Sequence, residues 1–305
     1  MKTDLLAELE PVVARNLDRH LAMAKDWMPH EYVPWDEGRD FMKVPWHPDQ
    51  SRLTPQAQTA LEVNLLTEDN LPSYHREIAN RFGLESAWGA WVGRWTAEEG
   101  RHAMCIRDYL VVTRALDPDE LEAQRMAVVQ AGFHNAHRTP LESLAYVSLQ
   151  ELATRIAHRN TGRFVNDPVA DLMLARVAAD ENLHMVFYRS LVKASLEIDP
   201  SATVRAICKE VTGFTMPGTV IPNFTRKSMV IAQAGIYDLR IHHDDVVLPL
   251  LKHWQLFELE GLDSSAECER ERLAVYLDVL NLQAAKQRER FAVAAARADR
   301  KKALQ

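Results

Sequence analysis

Glycine is scarce in this sequence, with only 11 among 305 residues. No two glycines lie two positions apart, so the G-x-G-x-x-G loop that binds the pyrophosphate of NAD or FAD is absent. Hydrophobic residues make up 47% and charged residues 26%, which is typical of a folded chain. Few glycines together with many Ala, Leu, Glu and Arg residues favour helices over turn-rich β structure. The composition therefore disfavours a Rossmann-type enzyme and predicts an all-α fold.

Cysteine is scarcer still, at positions 105, 208 and 268 only. No two of them have the C-x-x-C spacing of thiolate zinc sites and iron–sulfur clusters. An odd number of cysteines without a disulfide framework is typical of a reducing compartment. We therefore expect a cytoplasmic protein without a thiolate metal centre.

Long hydrophobic runs are absent as well. Stretches such as Val246–Leu251 fall far short of the ~18 residues of a membrane-spanning helix. The first ten residues lack the basic-then-apolar order of a signal peptide. The chain carries 36 basic and 43 acidic side chains, a net charge of −7, which disfavours general nucleic-acid binding. The sequence thus predicts a protein that is not integral to a membrane and does not bind nucleic acid.

Helix starts are marked by a recurring pair, a capping Thr or Asp followed by proline. The pairs are Thr54-Pro55, Asp117-Pro118, Thr139-Pro140, Asp167-Pro168 and Asp199-Pro200. The predicted helices cover residues 4–24, 54–82, 85–113, 118–131, 140–164, 167–197, 199–213, 224–239, 243–259 and 264–300. No low-complexity linker interrupts them. We expect one domain over residues 1–305, with an N-terminal wrap (1–53), a bundle core (54–197) and C-terminal helices (198–305).

Four predicted helices carry a glutamate within the apolar stripe that faces the core. The glutamates are Glu68, Glu99, Glu151 and Glu181, and the second and fourth begin E-x-x-H motifs that end in His102 and His184. A buried carboxylate without a partner costs several kcal/mol or changes its protonation state. Four such acids in one core therefore require cations.

The E-x-x-H motif is extended in the same way both times it occurs. Glu98 precedes the first motif and Asp180 precedes the second. Chance gives about one unextended match in a chain of this composition, so a single match would mean little. The spacing also repeats, because Glu68 precedes Glu99 by 31 residues and Glu151 precedes Glu181 by 30 residues. The pattern indicates two helix pairs related by pseudo-symmetry.

A Glu at position i and a His at i+3 lie side by side on a helix and can bind one metal ion. Two such motifs, with one glutamate from each of two further helices, form the ligand set of carboxylate-bridged di-iron or di-manganese bundles. Four carboxylates also neutralise two divalent ions, and oxygen ligands with imidazole suit iron or manganese. The alternative is that these acids form ion pairs on helix surfaces.

Five segments of the chain resemble one known family. They are Thr67-Glu68-Asp-Asn-Leu-Pro72-Ser-Tyr74, Trp95-Thr-Ala-Glu-Glu99-Gly-Arg101-His102, Gln150-Glu151-Leu-Ala-Thr154, Asn160-Thr161 and Ala179-Asp180-Glu181-Asn-Leu-His184. In order and spacing, over roughly residues 54–200, they resemble the soluble ferritin-like acyl-acyl-carrier-protein (acyl-ACP) desaturases, closest to their actinobacterial branch. Gly100 departs from the family, which usually has Asn there. The resemblance implies a ferritin-like four-helix bundle core elaborated with extra helices.

The resemblance also implies a metal centre of two carboxylate-bridged iron ions. Its implied ligands are Glu68, Glu99, His102, Glu151, Glu181 and His184. Of these, Glu99 and Glu181 would bridge the irons. Around them, Asp180 would orient His102 and Glu98 would orient His184 as acceptors of imidazole hydrogen bonds.

Two further residues have alternative interpretations. Thr154 matches a family threonine linked to oxygen activation and proton delivery, whereas its structural alternative is a hydroxyl bonded back to a helix carbonyl. Trp27 can be aligned with a tryptophan in a hydrogen-bonded path towards the irons, whereas core packing is the simpler interpretation. His158 is expected to line a pocket or a helix face, and His242-His243 to cap a helix at the surface.

The implied enzyme inserts a cis double bond into a saturated acyl chain carried by ACP, with O2 as co-substrate. The reaction consumes two external electrons, and this chain has neither a cysteine cluster nor a dinucleotide loop to supply them. We therefore expect a separate ferredoxin-like donor, and by resemblance a homodimer acting in fatty acid metabolism. Two alternatives share the fold: another di-iron oxygenase or oxidase, and a ferritin-like iron-binding protein without organic chemistry.

Overall fold

The computed structural model describes residues 4–134 and 138–303, and every regular element among them is helical. The α-helices are α1 (Leu5–Met23), α2 (Pro55–Glu68), α3 (Leu71–Phe82), α4 (Ser86–Val112), α5 (Pro118–Ala131), α6 (Pro140–Val165), α7 (Pro168–Ile198), α8 (Pro200–Thr212), α9 (Phe224–Gln233), α10 (Leu239–Ile241), α11 (Leu248–His253) and α12 (Ser264–Ala303). A π-helical turn, His242–Val247, joins α10 to α11. The predicted all-α fold is confirmed, and each Thr/Asp-Pro pair is an N-cap followed by the first helical residue.

Helices α2, α4, α6 and α7 form a four-helix bundle. The pair α6–α7 makes the most extensive contact, and α2–α4, α2–α6 and α4–α7 close the ring. Helix α1 packs against α4 and α7, whereas α8 packs against α6 and α12. The N-terminal and C-terminal helices therefore surround the bundle that carries the predicted ligands.

The interior of the bundle is divided into two apolar clusters. On α4, Trp91 belongs to the first cluster and Tyr109 to the second. On α7, Val177 belongs to the second cluster and Tyr188 to the first. The E-x-x-H motifs lie between these residues on both helices. A polar layer therefore crosses a core that is apolar on either side.

The prediction of one helix over residues 54–82 is wrong. The chain turns at Asp69 and Asn70, which separate α2 from α3. Pro72 is the reason, because proline has no N–H to continue the helical bonds and its ring would collide with the carbonyl group four residues earlier. That carbonyl belongs to Glu68, so the break leaves this glutamate at the end of its helix.

The predictions for residues 224–239 and 243–259 also need correction. Helix α9 ends at Gln233, two residues before Gly235, whose φ of +71° is the left-handed conformation that ends helices. In the second segment the helix contains a π turn and ends at His253. Pro249 would collide with the carbonyl group of residue 245 in a regular helix, and the wider turn relieves that contact. The two histidines expected at the surface, at positions 242 and 243, are buried.

Candidate metal centre

The six predicted ligands converge on the polar layer of the bundle. Their exposed fractions are 5% for Glu68, 7% for Glu99, 0% for His102, 0% for Glu151, 1% for Glu181 and 0% for His184. One comes from α2, two from α4, one from α6 and two from α7. Because all six are buried inside the bundle, the alternative of ion pairs on helix surfaces does not apply.

Their ligand atoms form two overlapping groups. The first group is Glu68, Glu99, His102 and Glu181, and the second is Glu99, Glu151, Glu181 and His184, with the ligand atoms of each group within 4.8 Å of one another. His102 Nδ1 lies 3.1 Å from Glu181 Oε1 and 3.4 Å from Glu99 Oε2. His184 Nδ1 lies 2.8 Å from Glu99 Oε1. Glu99 and Glu181 belong to both groups, as expected of carboxylates shared by two ions.

Several buried atoms at this centre have no hydrogen bond of acceptable geometry to any of the described residues. They are Nδ1 of His102 and of His184, Oε1 of Glu99, Oε2 of Glu151 and Oε1 of Glu181. Such unsatisfied atoms cost free energy, so a group of them facing one another indicates a missing partner. Carboxylate oxygens with one imidazole nitrogen per group suit iron or manganese. The residues present therefore fit two divalent metal ions.

The central carboxylates repel one another. Burial and the charge of Glu181 raise the pKa of Glu99. Burial and the charges of Glu181 and Glu99 raise the pKa of Glu151 well above its usual range. Burial also opposes ionisation of Glu68, but the interactions with His102 and His158 outweigh burial and hold the pKa of Glu68 well below its usual range. Divalent cations would relieve this repulsion and allow all four carboxylates to be charged.

Glu98 faces the histidine of the other E-x-x-H motif. His184 Nε2 donates to Glu98 Oε2 across 2.9 Å. Burial opposes ionisation of Glu98, but its hydrogen bonds to His184 and His20 outweigh burial and hold the pKa of Glu98 well below its usual range. An ionised carboxylate only accepts hydrogen bonds. His184 Nε2 is therefore the donor of this bond, and Nδ1 faces the centre, 2.8 Å from Glu99 Oε1.

Asp180 occupies the corresponding position at the other motif. His102 Nε2 lies 3.5 Å from Asp180 Oδ2, a longer contact than that of Glu98. Trp27 Nε1 donates to the same oxygen across 2.7 Å, and Arg101 and Arg176 also bind the carboxylate. Burial opposes its ionisation, but His102, Trp27 and Arg176 outweigh burial and lower the pKa of Asp180 to about 2. Trp27 is thus hydrogen-bonded to this site in addition to packing in the core.

Two histidines contact this site although the sequence interpretation did not assign them to it. His158 Nε2 lies 2.7 Å from Glu68 Oε1. His158 follows Glu151 by seven residues on one face of α6, and this periodicity could have identified it. His20 Nε2 lies 2.9 Å from Glu98 Oε2. The signal for His20 is the buried stripe of α1, which it continues.

Thr154 makes the contacts of both its alternative roles. Its Oγ1 donates to Glu181 Oε2 across 2.7 Å. The same atom lies 3.1 Å from the backbone carbonyls of Gln150 and Glu151. A hydroxyl has one proton, so these bonds compete, and the contact to Glu181 is the shortest of them.

Two cavities lie along one face of α6. The larger, about 110 Å³, is bordered by Thr154 and His158, together with Glu68 and apolar side chains. The smaller, about 50 Å³, is bordered by Gln150 and Trp95. Trp95 Nε1 also donates a hydrogen bond to Oε1 of Glu151 across 3.1 Å. Gln150, Thr154 and His158 follow one another at four-residue steps, so one stripe of α6 borders both cavities.

The fold and the site together define a class, the ferritin-like helical bundles with paired carboxylates and E-x-x-H motifs in their core. The family model described as fatty acid desaturase matches residues 1–303. The chain therefore belongs to the fatty acid desaturase family. In the part of the chain that the structure describes, every helix is too short or too polar to span a lipid bilayer.

Individual relatives agree with this assignment. The chain is 50% identical over 289 residues to DesA1 of Mycobacterium tuberculosis, named a "putative acyl-ACP desaturase", covering 91% of this chain and 86% of DesA1. It is 30% identical over 285 residues to a chloroplastic palmitoyl-ACP 4-desaturase of Ophrys sphegodes, covering 86% and 71%. The crystal structure of DesA2 from Mycobacterium tuberculosis superimposes with a TM-score of 0.71 at 32% identity, covering 83% of this chain and 96% of DesA2.

Proposed function

We propose that this protein is an acyl-ACP desaturase that uses a carboxylate-bridged pair of iron ions and O2. The observation that carries the proposal is the pair of buried ligand groups that share Glu99 and Glu181. The names of the relatives support ACP as the carrier of the acyl chain. When bound and reduced, the iron pair supplies with O2 an oxidant able to break an unactivated C–H bond.

The atoms and electrons of the proposed reaction balance. Two hydrogens leave adjacent carbons of the acyl chain, and O2 takes them up together with two electrons and two protons to give two waters. The electrons come from a separate protein of the ferredoxin class, because the sequence has neither a cysteine cluster nor a G-x-G loop. The acyl chain keeps both carbons and gains one double bond.

The protein contributes positions and protons. Glu68 and Glu151 would each bind one ion, and Glu99 and Glu181 would bind both. Asp180 and Glu98 would hold the two histidines with Nε2 outward and Nδ1 towards the ions. The Thr154 hydroxyl, bonded to Glu181 Oε2, would hold a proton at the edge of the two ligand groups.

The two cavities along α6 support an acyl pocket that passes the centre. A saturated chain has no polar group to be fixed by hydrogen bonds, so its position is set by the shape of an apolar channel. On one stripe of α6, Gln150 borders the smaller cavity, and Thr154 and His158 border the larger one. A chain lying along this stripe would present its middle carbons to the iron pair.

The proposal includes a homodimer in the cytoplasm. The dimer rests on the resemblance to the desaturase family, and the cytoplasmic location on the scarcity of cysteine. Sedimentation of the purified chain at micromolar concentration should give twice the mass of one chain, and a monomer would remove the dimer from the proposal.

The test is a direct assay of desaturation. Iron-loaded protein is incubated with saturated acyl-ACPs of several chain lengths, O2 and a reduced ferredoxin system, and the fatty acids are analysed by mass spectrometry. We expect a product two mass units lighter than the substrate. A matched Glu99→Ala variant should give none, because it lacks a shared ligand.

Two other outcomes separate the alternatives. Oxygen inserted into the chain instead of hydrogen removed would indicate a di-iron oxygenase. Storage of many irons per chain without any acyl product would indicate an iron-binding protein. An absence of unsaturated product at every chain length would reject the proposed function.

A further inference from the structure

Helix α1 lies outside the four-helix bundle but brings one side chain to the metal centre. It packs against α4 and α7, and its His20 is only 4% exposed. His20 Nε2 lies 2.9 Å from Glu98 Oε2, and His184 Nε2 lies 2.9 Å from the same oxygen. One carboxylate oxygen therefore accepts hydrogen bonds from a histidine of α1 and from a predicted metal ligand.

The rings of these two histidines are also aligned. The His20 ring stacks on that of His184, with centroids 5.8 Å apart and an interplanar angle of 22°. Trp91 meets both rings edge-on, at 5.1 Å from His20 and 6.0 Å from His184. The imidazole plane of His184 is therefore fixed by packing as well as by its bond to Glu98.

Glu98 would be held unevenly without His20. Its other oxygen, Oε1, accepts hydrogen bonds from Arg94, whose side chain is 31% exposed, and Arg101 lies 3.6 Å away. Both arginines interact with Oε1, whereas the two histidines are the only donors to Oε2 among the residues that the structure describes. Among these residues, removal of His20 leaves His184 as the single donor to that oxygen.

The other half of the centre has a parallel arrangement. Asp180 accepts the Nε1 proton of Trp27, seven residues after His20 in the chain. The carboxylates of Glu98 and Asp180 therefore each accept a hydrogen bond from one aromatic N–H group among the first 27 residues. His20 binds Glu98 in the same way that Trp27 binds Asp180.

We propose that His20 is a positioning residue for the metal ion on the His184 side of the centre. Its N–H group fixes Glu98, and Glu98 in turn fixes His184 with Nδ1 directed at the ion. This inference rests on the proposed metal centre but extends it to a residue of α1. Outer hydrogen-bond partners of metal ligands typically change affinity by about 10- to 100-fold.

The test measures metal affinity rather than activity. The metal-depleted full-length chain is titrated with Co2+, and the absorption of the bound ion gives the two dissociation constants. His20→Leu should weaken one of the two constants by roughly 10- to 100-fold and leave the other within about threefold. His20→Gln, which keeps an N–H donor near the position of Nε2, should restore most of the affinity. The melting temperature of each metal-free variant separates this effect from a loss of folding.

Two variants that each lack one ligand show which of the two metal ions depends on His20. In Glu68→Ala, which removes a ligand of the His102 side, His20→Leu should still weaken the remaining site. In Glu151→Ala, which removes a ligand of the His184 side, His20→Leu should have no further effect. Trp27→Phe is the matched control and should give the opposite pattern, because it acts through Asp180.

Three results would overturn the role of His20. These are equal weakening of both sites, no weakening of either, and His20→Gln behaving like His20→Leu at an unchanged melting temperature. A third ion bound by the wild type and lost in His20→Leu would instead place a metal at His20, Glu98 and His184. A wild-type chain that binds no Co2+ would reject the metal centre itself, which is a different failure.

Discussion

Hydrogen bonds around single residues decide which atoms remain free for a metal. His184 directs Nε2 to Glu98 and therefore leaves Nδ1 to the centre. The resemblance assigned Glu98 and Asp180 their roles, and each of them directly precedes the glutamate of an E-x-x-H motif. His20 was not predicted because it lies 78 residues before its partner, and only the packing of α1 brings them together.

Thr154 gives a prediction of this kind. Thr154→Val removes the hydroxyl that lies 2.7 Å from Glu181 Oε2, whereas Thr154→Ser retains it. Because a hydrogen bond to a charged group is worth about 1.5–3 kcal/mol, we expect kcat for desaturation to fall roughly tenfold or more in the valine variant. The serine variant should stay within about threefold, and both should bind the same number of irons. Full activity of Thr154→Val would assign the hydroxyl to the helix backbone alone.

The helices show where sequence reasoning succeeds and where it does not. The five Thr/Asp-Pro starts were predicted correctly because capping is local, decided by a few adjacent residues. The break after Glu68 was missed, although Pro72 could have indicated it. The π turn at residues 242–247 depends on how Pro249 packs in its helix, which periodicity alone does not reveal.

Gly100 in the middle of α4 gives a second prediction. A Cβ atom at this position would meet only Leu71 Cδ2, at the ordinary contact distance of 3.9 Å. Gly100→Ala should therefore raise the free energy of unfolding by about 1 kcal/mol, the difference in helix propensity. Urea unfolding of the metal-free chain measures it. A destabilised variant would contradict this expectation and show that a Cβ atom at position 100 collides with a neighbouring group.

The π turn gives a prediction about pH. Burial and the neighbouring charge of His243 lower the pKa of His242 to about 4. Between pH 4 and about 6.5 the unfolded chain therefore binds a proton at His242 that the folded chain excludes, so stability falls as pH falls through this window. The loss is at most about 3 kcal/mol.

The matched variant is His242→Gln, which can keep a polar contact with the hydroxyl of Tyr237. Its urea midpoint should change less between pH 7 and pH 5 than that of the wild type. Equal changes in the two proteins would show that His242 does not titrate as described.

For the chain as a whole, the position of the charges matters more than their sum. A net charge of −7 is unremarkable, but the carboxylates of the four predicted glutamate ligands lie inside the bundle, between two apolar clusters. The apolar stripes of four helices predicted which acids would meet there, because their periodicity placed all four glutamates on core-facing positions. The contact of His20 with Glu98 could not be predicted, because it depends on how α1 packs against α4 and α7. The periodicity of α6 could have identified His158, and the resemblance had offered a hydrogen-bonded role for Trp27.

Iron stoichiometry with Mössbauer spectroscopy of the 57Fe-loaded chain tests this conclusion most directly. The proposed centre predicts two irons per chain in a single magnetically coupled pair. The Glu99→Ala variant should bind fewer than two irons per chain. One iron or none per chain, or many uncoupled irons in a mineral-like state, would contradict a carboxylate-bridged pair held by Glu99 and Glu181.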